Sequence, residues 1–147
     1  MSPEGSAVRR GFLTQGRRAM SQLLMICLGG AIGTGARYLL SGWVLQVMGT
    51  SFPYGTLVVN GIGSFLLAAL MYAGIEAATI SPSLRVVLGT GVLGGFTTYS
   101  TFSFETMKYL QDGAWLLAAV NILGTVVGCL VACLAGWACA RWLLGSY

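Results

Sequence analysis

The sequence predicts an all-α membrane protein of four transmembrane helices, the third of them broken mid-span. Three observations lead there. Of its 147 residues, 56% are hydrophobic and 8% charged, at a mean hydropathy of +0.79, which is far from the composition of a soluble domain. Four apolar stretches, at about residues 23–47, 57–78, 84–107 and 114–143, are each long enough for the roughly 20 residues that cross a bilayer. The third stretch has no charge from Val86 to Phe104, yet holds Gly94-Gly95 followed by five consecutive hydroxyl residues, Thr97 to Thr101.

The first nineteen residues read as a basic N-terminal extension, expected to be disordered or not translated, because Met20-Ser21-Gln22 followed by Leu23 resembles a chain start. Residues 20–147 then form one four-helix membrane domain. Arg9, Arg10, Arg17 and Arg18 are half of the basic residues and all precede the first span. Arg9-Arg10-Gly11-Phe12-Leu13 resembles a twin-arginine export signal, but the apolar stretch that follows is too long for one and contains Arg37. From Met20 onward only Arg37, Arg85, Lys108 and Arg141 are basic, too small a bias to set orientation. With the extension counted, the N-terminus should be cytoplasmic.

Phe52-Pro53-Tyr54-Gly55 and Ser81-Pro82-Ser83 are turn and helix-start signals between the spans. Small residues four apart, Gly29/Gly33, Gly91/Gly95 and Gly124/Gly128, allow close helix approach, with Gly61 and Gly63 in the second span. The second span has Thr56, Asn60 and Ser64 along one helical face, and the fourth has Asn121, Thr125 and Cys129. Such neutral stripes suit either a narrow ion track or interhelical hydrogen bonding.

In the third span the adjacent glycines and the hydroxyl run weaken a helix. Freed backbone groups survive in a bilayer only where protein or a water-filled cavity satisfies them, so the break suggests an ion site. Tyr99 and Phe102, three apart, share a face just after it, and aromatic edges attract anions. Arg37 and Glu105 are intramembrane charges, read as an ion pair or, for Arg37, a vestibule that attracts anions.

The chain has no histidine, which removes the commonest metal ligand and the usual proton shuttle. Cys27, Cys129, Cys133 and Cys139 all fall inside spans and read as small apolar core residues. With no paired carboxylates and no folded basic face, neither an enzyme nor a nucleic-acid binder is expected.

Three blocks resemble the Fluc/CrcB family of bacterial fluoride channels: Gly29 to Tyr38 (GGAIGTGARY), Pro53 to Phe65 (PYGTLVVNGIGSF) and Gly94 to Glu105 (GGFTTYSTFSFE). The resemblance implies a fluoride-specific channel in the bacterial cytoplasmic (inner) membrane, passively exporting F⁻. It implies an antiparallel dual-topology homodimer in membrane lipid with two fluoride pathways. Asn60, Tyr99 and Phe102 would line a pathway, with Ser100, Thr101, Asn121 and Thr125 as further polar lining. A structural, untransported Na⁺ would sit at the dimer centre on backbone carbonyls of Gly94 and Thr97. The family usually has phenylalanine where this chain has Tyr99, which adds a hydroxyl to the ring. The alternative is a small dual-topology proton-coupled multidrug or cation exporter. That mechanism wants a carboxylate deep in the membrane, and Glu105, near a span end, is the only candidate.

Overall fold

The computed structural model describes residues 3–145, with side chains described from residue 15 onward. The described residues form helices α1 (Pro3–Met48), α2 (Tyr54–Met71), α3 (Pro82–Val86), α4 (Gly94–Phe96), α5 (Tyr99–Gln111) and α6 (Trp115–Leu144). Wide π-helical turns extend α2 over Tyr72–Glu76 and join α3 to α4 over Val87–Leu93. Among the described residues, three helical stretches are long and apolar enough to cross a membrane: Gln15–Met48, Tyr54–Glu76 and Trp115–Leu144.

The punctuation has local causes. Gly49 follows α1 with a positive φ of 79° and donates its N–H to Leu45 O, the usual glycine stop after a helix. Gly113, φ 71°, does the same work between α5 and α6. Ser81 caps α3 by accepting from Leu84 N, with Pro82 in the first turn, where a missing N–H costs nothing.

Helix α1 does not begin at residue 23. Over the described residues it runs unbroken from Pro3. Arginine, alanine and glutamine, good helix formers, recur there despite Gly11 and Gly16, and no proline lies between Pro3 and Leu23.

Packing follows the small residues. Helix α1 lies against Val87–Leu93 and α4, and α2 against α6. A Cβ built on Gly33 would strike the Val92 carbonyl, and one on Gly95 would strike the Gly30 carbonyl, so the stretch holding Gly29 and Gly33 faces the stretch holding Gly91 and Gly95. Gly124 and Gly128, by contrast, meet almost nothing within the chain. The tight contact of α6 on α2 is at Gly136, whose Cβ would overlap the Phe65 carbonyl.

The interior is unusually polar. Thr56, Asn60, Thr98, Thr106, Asn121 and Thr125 are buried beside Val59, Phe96, Phe102 and Ala118. Outward-facing positions are apolar, including Leu28, Ile32, Leu39 and Trp43 on α1 and Leu116, Leu123, Leu130 and Leu134 on α6. Only a hydrocarbon solvent makes that distribution favourable. The cysteines follow the same inversion: Cys27, Cys133 and Cys139 are exposed and Cys129 half-buried, so they are not core residues. In a bundle of so few helices, most positions on each cylinder face outward.

Candidate functional site

Between α4 and α5 the chain is extended for two residues, Thr97 (φ −79°, ψ 157°) and Thr98 (φ −147°, ψ 114°). The interruption therefore falls after the glycines. Gly94 itself is helical, at φ −65° and ψ −36°. The expected weakening by the glycines and the hydroxyl run together resolves into a division of labour. Gly95 permits close contact with Gly30 of α1, and the threonines, whose hydroxyls compete for backbone partners, depart from the helix.

Asn60 on α2 clasps this interruption. Its Oδ1 accepts from Thr98 N–H at 2.8 Å, and its Nδ2 donates to Thr98 O at 3.0 Å. One planar amide thus replaces both partners that Thr98 would have had in a helix. Gly63, one turn further along α2, makes room, since a Cβ there would overlap the Thr97 methyl group. Thr98 also caps α5: its Oγ1 accepts from Thr101 N and donates to the Thr101 hydroxyl at 2.9 Å, with the Ser100 hydroxyl 3.3 Å away.

This clasp has a consequence for two carbonyls. In a continuous helix Gly94 O would accept from Thr98 N, and Thr97 O from Thr101 N. Thr98 N is held by Asn60, and Thr101 N by the Thr98 hydroxyl. Both carbonyl oxygens are thereby relieved of their helical donors, and freed main-chain oxygens are ligands for a hard cation. The Thr97 hydroxyl bonds Leu93 O at 3.0 Å and plays no such part.

Two cavities meet at Thr98. One, about 320 Å³, has Asn60, Ser64, Thr98, Tyr99, Phe102 and Thr125 in its wall, together with Gly94 and Thr97, and no charged residue. Phe102 is buried at 6% exposure, whereas Tyr99 is 79% exposed. Their rings lie 5.5 Å apart at 55°. The Thr125 hydroxyl is buried without a hydrogen-bond partner among the described residues. The second cavity, about 400 Å³, brings together Arg37, Tyr54, Thr56, Thr98, Thr101 and Glu105.

Arg37 and Glu105 thus share a cavity, but Glu105 Oε1 takes its hydrogen bond from the Thr56 hydroxyl, at 2.7 Å. Its Oε2 is buried and without a hydrogen-bond partner among the described residues, so the expected pairing with Arg37 is not made in this chain. Thr56 lies in the first turn of α2, which places Glu105 toward an end of the bundle.

The Thr56, Asn60, Ser64 stripe runs from one cavity into the other, with the clasp between them. Asn121 is set apart from both. Its Nδ2 donates to the Thr106 hydroxyl at 2.9 Å, which donates in turn to Phe102 O at 2.8 Å. Asn121 Oδ1 is buried without a partner among the described residues. The Ser100 side chain is exposed and lines neither cavity. Thr98 and Thr106 are the residues that sequence reading did not single out. The hydroxyl run was the signal for Thr98, whereas nothing in α5 alone points to Thr106.

Comparison with known proteins adds three findings. The profile of CrcB-like protein, Camphor Resistance (CrcB), matches residues 24–137. The fluoride-specific ion channel FluC of Anaeromyxobacter sp. (strain K) is 52% identical over 126 residues, which cover 86% of this chain and 100% of the relative. Those of Citrifermentans bemidjiense and Geobacter sulfurreducens are 54% and 48% identical, covering 83% and 84% of this chain and 98% and 100% of the relatives.

Proposed function

The chain belongs to the CrcB-like family, and on that premise we propose that it is a fluoride-specific ion channel of the bacterial cytoplasmic membrane. Hydrogen fluoride enters cells as a neutral weak acid and releases F⁻ in a near-neutral cytoplasm. A passive pathway then suffices for protection, since the membrane potential drives an anion outward with about 2.3 kcal/mol per charge per 100 mV. The observation that carries this reading is the neutral cavity beside the clasp. It offers hydroxyls, an amide and a buried aromatic ring, and no carboxylate. A proton-coupled cation exporter needs a carboxylate in its path, and Glu105 is held by Thr56 in the other cavity.

In this proposal α3, α4 and α5 together make a fourth crossing, interrupted at Thr97 and Thr98. Asn60 lines the pathway through the second N–H of its amide, the one not used on Thr98 O, which is the right polarity for an anion. Tyr99 and Phe102 offer ring edges, and the partnerless Thr125 hydroxyl offers a donor. Thr101 lies toward the Arg37 cavity, while Asn121 and Ser100 support the lining from outside it. Arg37 attracts anions into the larger cavity.

A bound Na⁺ fits the two relieved carbonyls, Gly94 O and Thr97 O, but two ligands are too few for a hard cation. A second copy across a two-fold axis supplies the other two, and the exposed Gly94 and half-buried Thr97 leave room for one. That supports an antiparallel homodimer with the ion structural at its centre. Expression in a fluoride-sensitive bacterium lacking its own exporter tests the function: growth on fluoride should be restored. Absence of rescue by a membrane-inserted, dimeric chain would count against it.

A further inference from the structure

We infer that the Tyr99 hydroxyl donates a hydrogen bond to the passing anion and thereby sets how tightly this chain holds fluoride, an inference that rests on the channel reading. It begins with a phenol in a costly place. Tyr99 opens α5 directly after the cap Thr98, eight residues from the nearer end, at about residue 107, of the third apolar stretch. A rise of about 1.5 Å per residue puts it about 12 Å inside, too deep for the side chain to reach the headgroups. The residue is nevertheless 79% exposed, and its hydroxyl has no hydrogen-bond partner among the described residues. Tyr109, near the end of α5, differs: its hydroxyl donates to Ser51 O. A hydroxyl in hydrocarbon without a partner is strongly disfavoured. The acceptor for Tyr99 therefore comes from outside this chain.

The cavity that Tyr99 lines says which acceptor fits. Its internal acceptors are already taken. Asn60 Oδ1 receives Thr98 N–H, Thr98 O receives Asn60 Nδ2, and Leu93 O receives the Thr97 hydroxyl. What is left unspent in its wall is a set of donors: the second N–H of Asn60, the Thr125 hydroxyl and the Tyr99 hydroxyl. No charged residue lies among them. Donors in surplus around a neutral space call for a ligand that only accepts, and a halide ion is one. The competing acceptors are the freed Gly94 and Thr97 carbonyls of a second copy, and in the proposed dimer the structural cation claims those.

The ring pair divides the work. Phe102 is buried and presents only an edge, while Tyr99 lies 5.5 Å away with its ring tilted by 55°. At the tip of the Tyr99 ring an O–H stands where phenylalanine has an edge C–H, and O–H is much the stronger donor. A hydrogen bond to a charged partner is worth about tenfold to a hundredfold in affinity. Conduction needs a site that binds firmly enough to be entered and weakly enough to be left. The hydroxyl accordingly favours capture at low fluoride and slows release at high fluoride.

Tyr99→Phe keeps the ring and removes only the donor. In liposome efflux over a range of fluoride concentrations, the variant should half-saturate at about tenfold or more higher fluoride and reach a maximal rate at least about twofold higher. Its dimer and melting temperature should match the parent. An equilibrium measurement needs no flux. With tyrosine labelled by ¹³C at Cζ, the Tyr99 signal, assigned among the six tyrosines by its absence from Tyr99→Phe, should shift on addition of potassium fluoride and stay in place in potassium chloride. An unchanged half-saturating concentration would overturn the inference, as would a Tyr99 signal that ignores fluoride or follows chloride equally. A lower melting temperature in Tyr99→Phe with fluoride dependence unaltered would give the hydroxyl to the second copy instead, and overturn it too. A parent chain that passes no fluoride while its Tyr99 signal shifts would sink the channel and leave the anion contact standing. A parent that conducts, with its Tyr99 signal indifferent to fluoride, would do the reverse.

Discussion

At Asn60 the side-chain amide stands in for the helix that Thr98 has left. Asn60→Asp keeps the acceptor for Thr98 N–H but turns the donor into a charged oxygen facing a carbonyl. It also places a fixed negative charge in the anion path, where a like charge at 4 Å costs about 4 kcal/mol at an effective dielectric of 20. Fluoride efflux should fall about a hundredfold or more with the dimer intact by size-exclusion chromatography, and near-normal efflux would remove Asn60 from the path. Phe102→Ile keeps bulk at a buried position and removes the ring edge. Efflux through it should drop at least about tenfold at unchanged melting temperature; wild-type flux would reduce the ring to packing. At this scale the sequence was half legible. Spacing along α2 put Thr56, Asn60 and Ser64 on one face, but the partners of Asn60 and Asn121, Thr98 and Thr106, lie on another element and have no signature in helical spacing.

The helix interruption shows what local propensity can and cannot give. Two glycines in sequence look like the weak point, yet both stay helical, Gly95 in close contact with Gly30 of α1, and the threonines after them leave the helix. Gly33→Ala should therefore lower stability by about 1–3 kcal/mol, because its methyl group meets the Val92 carbonyl. Gly35→Ala, with nothing within 4 Å, is the matched control and should be neutral or slightly stabilising. Thermal unfolding in detergent compares them, and equal melting temperatures would mean that the α1–α4 contact is looser than described. Thr97→Ser preserves the hydroxyl bond to Leu93 O and should retain Na⁺-dependent activity, since the ion's ligands are carbonyls. Loss of Na⁺ dependence in Thr97→Ser would shift the site to side chains. The glycine pair at Gly124 and Gly128 meets almost nothing among the described residues, a pattern that spacing alone could not distinguish from Gly29 and Gly33.

Across the whole molecule, the inversion of a polar interior and an apolar exterior follows directly from composition, and the apolar helices Tyr54–Glu76 and Trp115–Leu144 lie within a few residues of the stretches that hydropathy marks. What composition could not give is the length of α1, because helix propensity and hydrocarbon thickness are separate constraints and the basic residues before Leu23 satisfy the first without the second. Small residues decide which faces meet, and in the proposed channel the neutral cavity decides what can pass. Ion flux from liposomes containing only this chain tests that last point most directly. With K⁺ made permeable to set the potential, F⁻ should leave rapidly while Cl⁻ in matched vesicles is retained. Release of Cl⁻ at a comparable rate, or no release of F⁻ from vesicles that contain the assembled protein, would contradict a fluoride-specific channel.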